Sequence, residues 1–174
     1  FKAAIYLRDQ FLQSNDKAWS PMQFSNKSNI ECHYFTTAPE IHKQVVGTNR
    51  TWDAFIHGAG TGGTIEGMRR YFGYNKMHTK TCLVMPAESP HGIQGIGDGG
   101  DFLAKPSDMD HIIEIKTEEA IARAKRLAEE HGLLVGISSG ANVLAAERYV
   151  NKYKPSGIVV TMLCDRGERY MSIY

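Results

Sequence analysis

The stretch WDAFIHGAGTGGTIEGMRRYF, Trp52 to Phe72, carries three signals in succession. WDAFIHG is a short apolar run closed by glycine, which predicts a buried strand. Gly58, Gly60 and Gly63 follow at the spacing G-x-G-x-x-G, and from Thr64 the segment IEGMRRYF turns helical in its periodicity. KTCLVMP, from Lys80 to Pro86, is a second apolar strand that Pro86 ends. Strand, glycine turn, helix and strand make a βαβ unit.

The same alternation extends outward. Toward the N-terminus, FKAAIYLRDQFL places Ala4, Ile5, Phe11 and Leu12 near helical spacing, WSPMQF reads as a short strand, and SNKSNIECHYF reads as a polar loop. TAPEIHKQVV begins a further helix, with Thr37 and Glu40 at capping-box spacing. Toward the C-terminus, a glycine-dense loop, SPHGIQGIGDGGDF, precedes the strand HIIEI and the helix TEEAIARAKRLAEEHG, which has Gly132 just past its end. LLVGISSGANVLAAERYVNKY then reads as short strand, turn and helix, and GIVVTMLC as a last strand. Strands alternating with helices of ten or more residues predict an α/β fold with a doubly wound parallel sheet. Such a sheet binds ligands beyond the carboxyl ends of its strands, and the glycine turns after His57, before Asp101 and around Ser138 are all expected there.

Composition narrows the function classes. The 174 residues are 42% hydrophobic and 22% charged, a globular balance, and 20 Lys and Arg against 19 Asp and Glu leave a net charge of +1. That charge makes no electrostatic case for nucleic acid or an anionic membrane, and no apolar run approaches the about 20 residues of a membrane-spanning helix. Cys32, Cys82 and Cys164 form no C-x-x-C pair, and two of them sit in apolar strand-like runs, so reduced, buried thiols and a cytoplasmic location are expected. No metal site is expected: Cys32 and His33 are adjacent, but no second pair stands at ligand spacing. The chain opens at Phe1 inside a helical pattern and stops at Tyr174 without a polar tail, which reads as a segment of a longer protein.

The loop from Gly58 to Thr64 has the chemistry of a phosphate cradle. Glycines let backbone approach an anion, a helix N-terminus supplies N–H donors, and Thr61 and Thr64 add hydroxyls. A turn that merely packs helix on strand is the plainer alternative. A nicotinamide dinucleotide calls for an acidic residue about 20 positions on. Glu88 follows the next strand but lies late, beyond Pro86. Thr61 inside the turn and the compact run GTGGT point instead to one phosphate monoester.

Six blocks in order then resemble one family. QFSN (Gln23–Asn26), TAPEI (Thr37–Ile41), GAGTGGTIEG, HGIQGIG (His91–Gly97), GISSGANV (Gly136–Val143) and GERYMS (Gly167–Ser172) are similar to the cysteine synthases (O-acetylserine sulfhydrylases) and the related cystathionine β-synthase catalytic domain. These are pyridoxal-phosphate enzymes of fold type II, the tryptophan synthase β-like class. The resemblance implies that Gly60, Thr61, Gly62, Gly63 and Thr64 hold the phosphate of pyridoxal 5'-phosphate, that Gln23 lies by the substrate carboxylate, and that Gln94 and Gly95 lie beside the bound amino acid. On the residues alone, Gln23 is equally a polar strand-end residue, and the glycines between Gly92 and Gly100 equally serve a compact loop.

Two departures matter. The family's Schiff-base lysine, in an S-x-K-D-R-like context, and its Ser/Thr-Gly-Asn loop are absent, while Lys2, Lys27 and Lys43 stand in neither context and read as surface charges. No catalytic residue is therefore assigned. The chain is expected to be the larger, C-terminal subdomain, with residues 1–30 ending the smaller one and the N-terminal part missing. At the pyridine-nitrogen position the family reads P-x-S-G-E-R-Y, whereas this chain reads CDRGERY, placing Arg166 at the Ser position. Arg166 either donates to that nitrogen or points to solvent or to Asp165.

The resemblance implies an enzyme that makes L-cysteine by β-replacement on an O-activated serine with sulfide, the present chain being inactive alone. Cystathionine β-synthase, O-phosphoserine sulfhydrylase and diaminopropionate-forming synthases are near alternatives, and a nicotinamide-binding Rossmann protein a distant one. An amino-acid substrate, a homodimer when intact and the C-terminus of serine acetyltransferase are the partners it implies.

Overall fold

A computed structural model describes residues 2–97 and 103–174. Its elements are α1 (Lys2–Ser14), α2 (Ser28–Cys32), a π-helical turn (His33–Thr37), α3 (Ala38–Val46), β1 (Trp52–Gly58), α4 (Gly63–Tyr74), β2 (Lys80–Pro86), β3 (His111–Ile115), α5 (Thr117–His131), α6 (Ile137–Tyr153) and β4 (Ile158–Thr161). Four strands form one parallel sheet in the order β3-β2-β1-β4. The chain winds outward from β1 through β2 to β3, then crosses back to lay β4 on the other side of β1. That reversal puts the topological switch point at the carboxyl ends of β1 and β4, where the glycine loop emerges.

Strand periodicity sorts the two cores. Ala54, Ile56, Cys82 and Val84 face α5 and α6 with Ile115, Ile137, Ala141 and Ala145, whereas Phe55 and Leu83 face α3 and α4 with Ile65, Met68 and Phe72. Trp52 shares the Phe55 face because the register against β4 slips between Trp52 and Ala54. Both faces of the sheet are covered, which is why these strands read as continuous apolar runs.

Five expectations are corrected. WSPMQF is no strand: Met22 takes φ +51, and its carbonyl accepts from the Ser25 and Asn26 N–H groups, reversing the chain in a turn. The polar loop SNKSNIECHYF is largely helical, started by Asn26 Oδ1 accepting from the Ser28 N–H and anchored by buried Ile30. Thr37 is no N-cap, because its backbone is already helical and α3 continues out of the π-turn; its hydroxyl is bonded to His33 Nδ1 instead. The strand expected at LLV shrinks to a single antiparallel bridge between Val135 and Arg166. Of the cysteines, Cys82 is buried as expected but Cys164 is exposed. No helix among the described residues is long and apolar enough to cross a membrane.

Candidate active site

Gly62 takes φ +85, a conformation glycine adopts without penalty, and so aims the start of α4 at the carboxyl end of β1. Gly62, at its N-cap, has no side chain to offer, and of the first N–H groups that of Gly63 goes to Thr61 Oγ1. Among the described residues no acceptor stands against the backbone N–H groups of Thr64 and Ile65, which lie at the positive end of a twelve-residue helix. The residues present therefore fit a phosphate. Thr61 and Thr64 stand half-buried on its rim.

A second segment closes over this loop. The Gly97 N–H donates to the Ala59 carbonyl at 2.9 Å, and the Leu103 N–H donates to the Thr61 carbonyl at 2.7 Å. Gly95, at φ +86, presents its carbonyl so close to Gly60 that a β-carbon there would lie 2.6 Å from it. The fold thus brings Gly95 and its exposed neighbour Gln94 against the cradle, while Gly99 and Gly100, the last glycines before Asp101, lie outside the described residues. Gln23 reaches the site through its backbone, its carbonyl accepting from Asn29 Nδ2, which also donates to Thr61 Oγ1. Asn29 and His33 are not visible as site residues in the sequence because SNKSNIECHYF reads as a polar loop; a lone apolar Ile30 among polar residues is the signal of a helix that it carries.

The rim beside β4 is stapled from α6. Asn142 is fully buried; its Oδ1 accepts from the Gly58 N–H, and its Nδ2 donates to the Met162 carbonyl and approaches His57 Nδ1 at 3.2 Å. Ser139 Oγ accepts from the Cys164 N–H. Burial, reinforced by nearby His33, pushes the His57 pKa down to about 4, so its imidazole is neutral. His33 is lowered by the same desolvation. The Cys164 thiol is raised, chiefly by desolvation and despite bonds from Ser138 and Asn142, although the residue is exposed.

Arg166 bridges Val135 through its backbone, but its side chain is 83% exposed and paired with Glu168. Asp165, the surface partner expected for it, accepts instead from the Tyr170 hydroxyl at 2.7 Å. Glu88, weighed for a ribose, accepts the Thr117 N–H and caps α5. Among the described residues no group of His, Cys, Asp and Glu could hold a metal ion.

The profile of the pyridoxal-phosphate dependent enzymes matches residues 2–165. The chain belongs to that family. The cysteine synthase A of Escherichia coli (strain K12) is 39% identical over 98% of this chain and 58% of its own length. Among solved structures, a hydrogen sulfide-producing enzyme from Fusobacterium nucleatum superposes with a TM-score of 0.88 at 34% identity, covering 97% of this chain and 53% of that one. An O-acetyl serine sulfhydrylase from Entamoeba histolytica gives 0.87 at 34%, again over 97% and 53%. The chain thus spans a little over half the length of these relatives. Membership of a pyridoxal-phosphate family sets aside the dinucleotide reading of G-x-G-x-x-G, as the α/β architecture alone does not.

Proposed function

We propose that the chain is the phosphate-gripping part of a pyridoxal phosphate enzyme that makes L-cysteine from an O-activated serine and sulfide. The observation that carries this is the α4 N-terminus, where the Thr64 and Ile65 N–H groups have no acceptor among the described residues, with Gly60–Thr64 around it, at the switch point of the sheet. Thr61, Thr64 and the first N–H groups of α4 hold the phosphate; Gly60, Gly62 and Gly63 let it approach the backbone. Gln23, Gln94 and Gly95 border the adjoining space and orient the amino-acid substrate. When bound, the cofactor acts as an electron sink for breaking bonds at the substrate α-carbon.

Arg166 keeps two roles here: donor to the ring nitrogen, or surface partner of Glu168. An Arg166→Ser exchange distinguishes them, since only the first role changes the absorption spectrum of bound pyridoxal phosphate. Residues 1–30 form the end of a smaller subdomain, in keeping with the marginal contact of α1 with every other helix and strand. The intact protein is, on this reading, a cytoplasmic homodimer whose cleft also admits the C-terminus of serine acetyltransferase, which a pull-down with that peptide tests.

Titration of the chain with pyridoxal phosphate, followed by borohydride reduction and peptide mapping, tests the core of the reading. Saturable binding without a unique reduced lysine is expected. A stoichiometric adduct on one lysine would give the chain its own covalent anchor and overturn the assignment of no catalytic residue. A second reading, cystathionine formation, has support in a 32% identical structure of an O-acetylserine dependent cystathionine beta-synthase from Helicobacter pylori. Substrate profiling of the whole protein separates it from cysteine synthesis, and likewise from O-phosphoserine and diaminopropionate chemistry.

A further inference from the structure

A hydroxyl grips an anion only if its proton points at it, and a hydroxyl oxygen has two acceptor positions besides. Thr61 Oγ1 has both filled from behind. Asn29 Nδ2 donates to it at 3.0 Å and the Gly63 N–H at 3.2 Å. The orientation of the Asn29 amide is fixed independently, because its other Nδ2 hydrogen goes to the Gln23 carbonyl at 2.9 Å, a group that can only accept. Its Oδ1 sits over Gly63, where a β-carbon would come within 2.1 Å of it. With two donors behind the oxygen, the Thr61 proton is left to point forward, into the cradle.

Thr64 is backed from one side, by an imidazole. His33 Nε2 lies 3.2 Å from Thr64 Oγ1, and His33 Nδ1 lies 2.9 Å from Thr37 Oγ1, one π-turn further on. Desolvation keeps this imidazole neutral at pH 7, so one nitrogen donates and the other accepts. An acceptor-only dianion in the cradle selects the tautomer with hydrogen on Nε2. The Thr37 hydroxyl then donates to Nδ1, Nε2–H donates to Thr64 Oγ1, and the Thr64 proton points to the anion.

We propose that Asn29 and His33 are positioning residues that turn the hydroxyl protons of Thr61 and Thr64 into the cradle. This rests on the phosphate reading given above. It explains why α2 and the π-turn pack across the first turns of α4: that segment supplies the rear wall of the anion site. Asn29 also ties the Gln23 segment to Thr61, joining the substrate side of the site to the phosphate side through one amide.

The test is a pair of double-mutant cycles on the 174-residue chain, read as the dissociation constant for pyridoxal phosphate and, separately, for inorganic phosphate, with thermal melting as the folding control. Asn29→Ala and His33→Phe should each weaken pyridoxal phosphate binding roughly tenfold, the worth of one charge-assisted hydrogen bond. In a Thr61→Val background Asn29→Ala should add nothing, and in a Thr64→Val background His33→Phe should add nothing. His33→Gln, which restores a donor near Nε2, should recover most of the loss. Additive effects, or single variants binding like the parent, would overturn the inference while leaving the phosphate reading in place. A parent chain that binds neither probe would overturn both. If Asn29→Ala does not fold, the His33–Thr64 cycle and its Gln rescue decide alone.

Discussion

Asn142 Oδ1 accepts a hydrogen bond from the Gly58 N–H at 2.9 Å, joining α6 to the last residue of β1 across 84 positions of chain. Both groups are buried. The bond holds the glycine turn in place from behind, on the side away from α4. Replacing Asn142 by Ala strands a buried N–H and the Met162 carbonyl, at a cost of about 1–3 kcal/mol for each unsatisfied group. Chemical denaturation should show a loss of about 2–6 kcal/mol for the two groups together, and an Asn142→Ala chain as stable as the parent would mean that the turn holds without this bond.

The neighbouring imidazole makes stability depend on pH. His57 titrates near 6.5 when unfolded and at about 4 when folded, held down by burial first and by His33 second. The unfolded chain therefore takes up the proton first as pH falls. The contribution is full above pH 6.5 and is lost on the way to pH 4, amounting to roughly 3 kcal/mol. Denaturation midpoints at several pH values should fall through this window, and the slope should flatten in His57→Leu. A slope unchanged by that exchange would assign the acid sensitivity to other groups.

Gly62 is the turn residue least able to change. At φ +85, with a β-carbon placed 2.7 Å from the Ala104 nitrogen, an alanine meets both backbone strain and a collision with backbone. Gly62→Ala should lower stability by about 1–3 kcal/mol and weaken inorganic phosphate binding in parallel. Unaltered phosphate affinity in a stable Gly62→Ala chain would place the anion elsewhere.

Thiol labelling should separate the three cysteines. Cys82 is buried beneath α5 and α6, and burial pushes its thiol up to about 12. With iodoacetamide near pH 7.5, Cys32 should label fastest, Cys164 more slowly because its thiol is held up by desolvation, and Cys82 only on unfolding. Mass spectrometry of timed samples gives the order directly, and early labelling of Cys82 would contradict the packing of the sheet.

Where helix and strand periods are strong, the sequence is legible. WDAFIHG, KTCLVMP and HIIEI lie buried or half-covered in a parallel sheet, and TEEAIARAKRLAEEH carries its own stop at Gly132, so these elements were readable without tertiary knowledge. The stretch from Ser20 to Thr37 was not. Its helix is short and polar, and it is held by Ile30 beneath it and by α4 beside it, contacts between residues 30 or more positions apart.

By itself, then, the sequence determined the strand–turn–helix unit, its parallel setting and the run of glycines and threonines in the loop after β1, because backbone dihedral preferences and side-chain periodicity act locally. Tertiary structure alone decided which groups stand behind that loop. Asn29, His33 and Asn142 reach it from three different helices or turns, and a hydroxyl's direction is set by whichever donors the fold places against its oxygen.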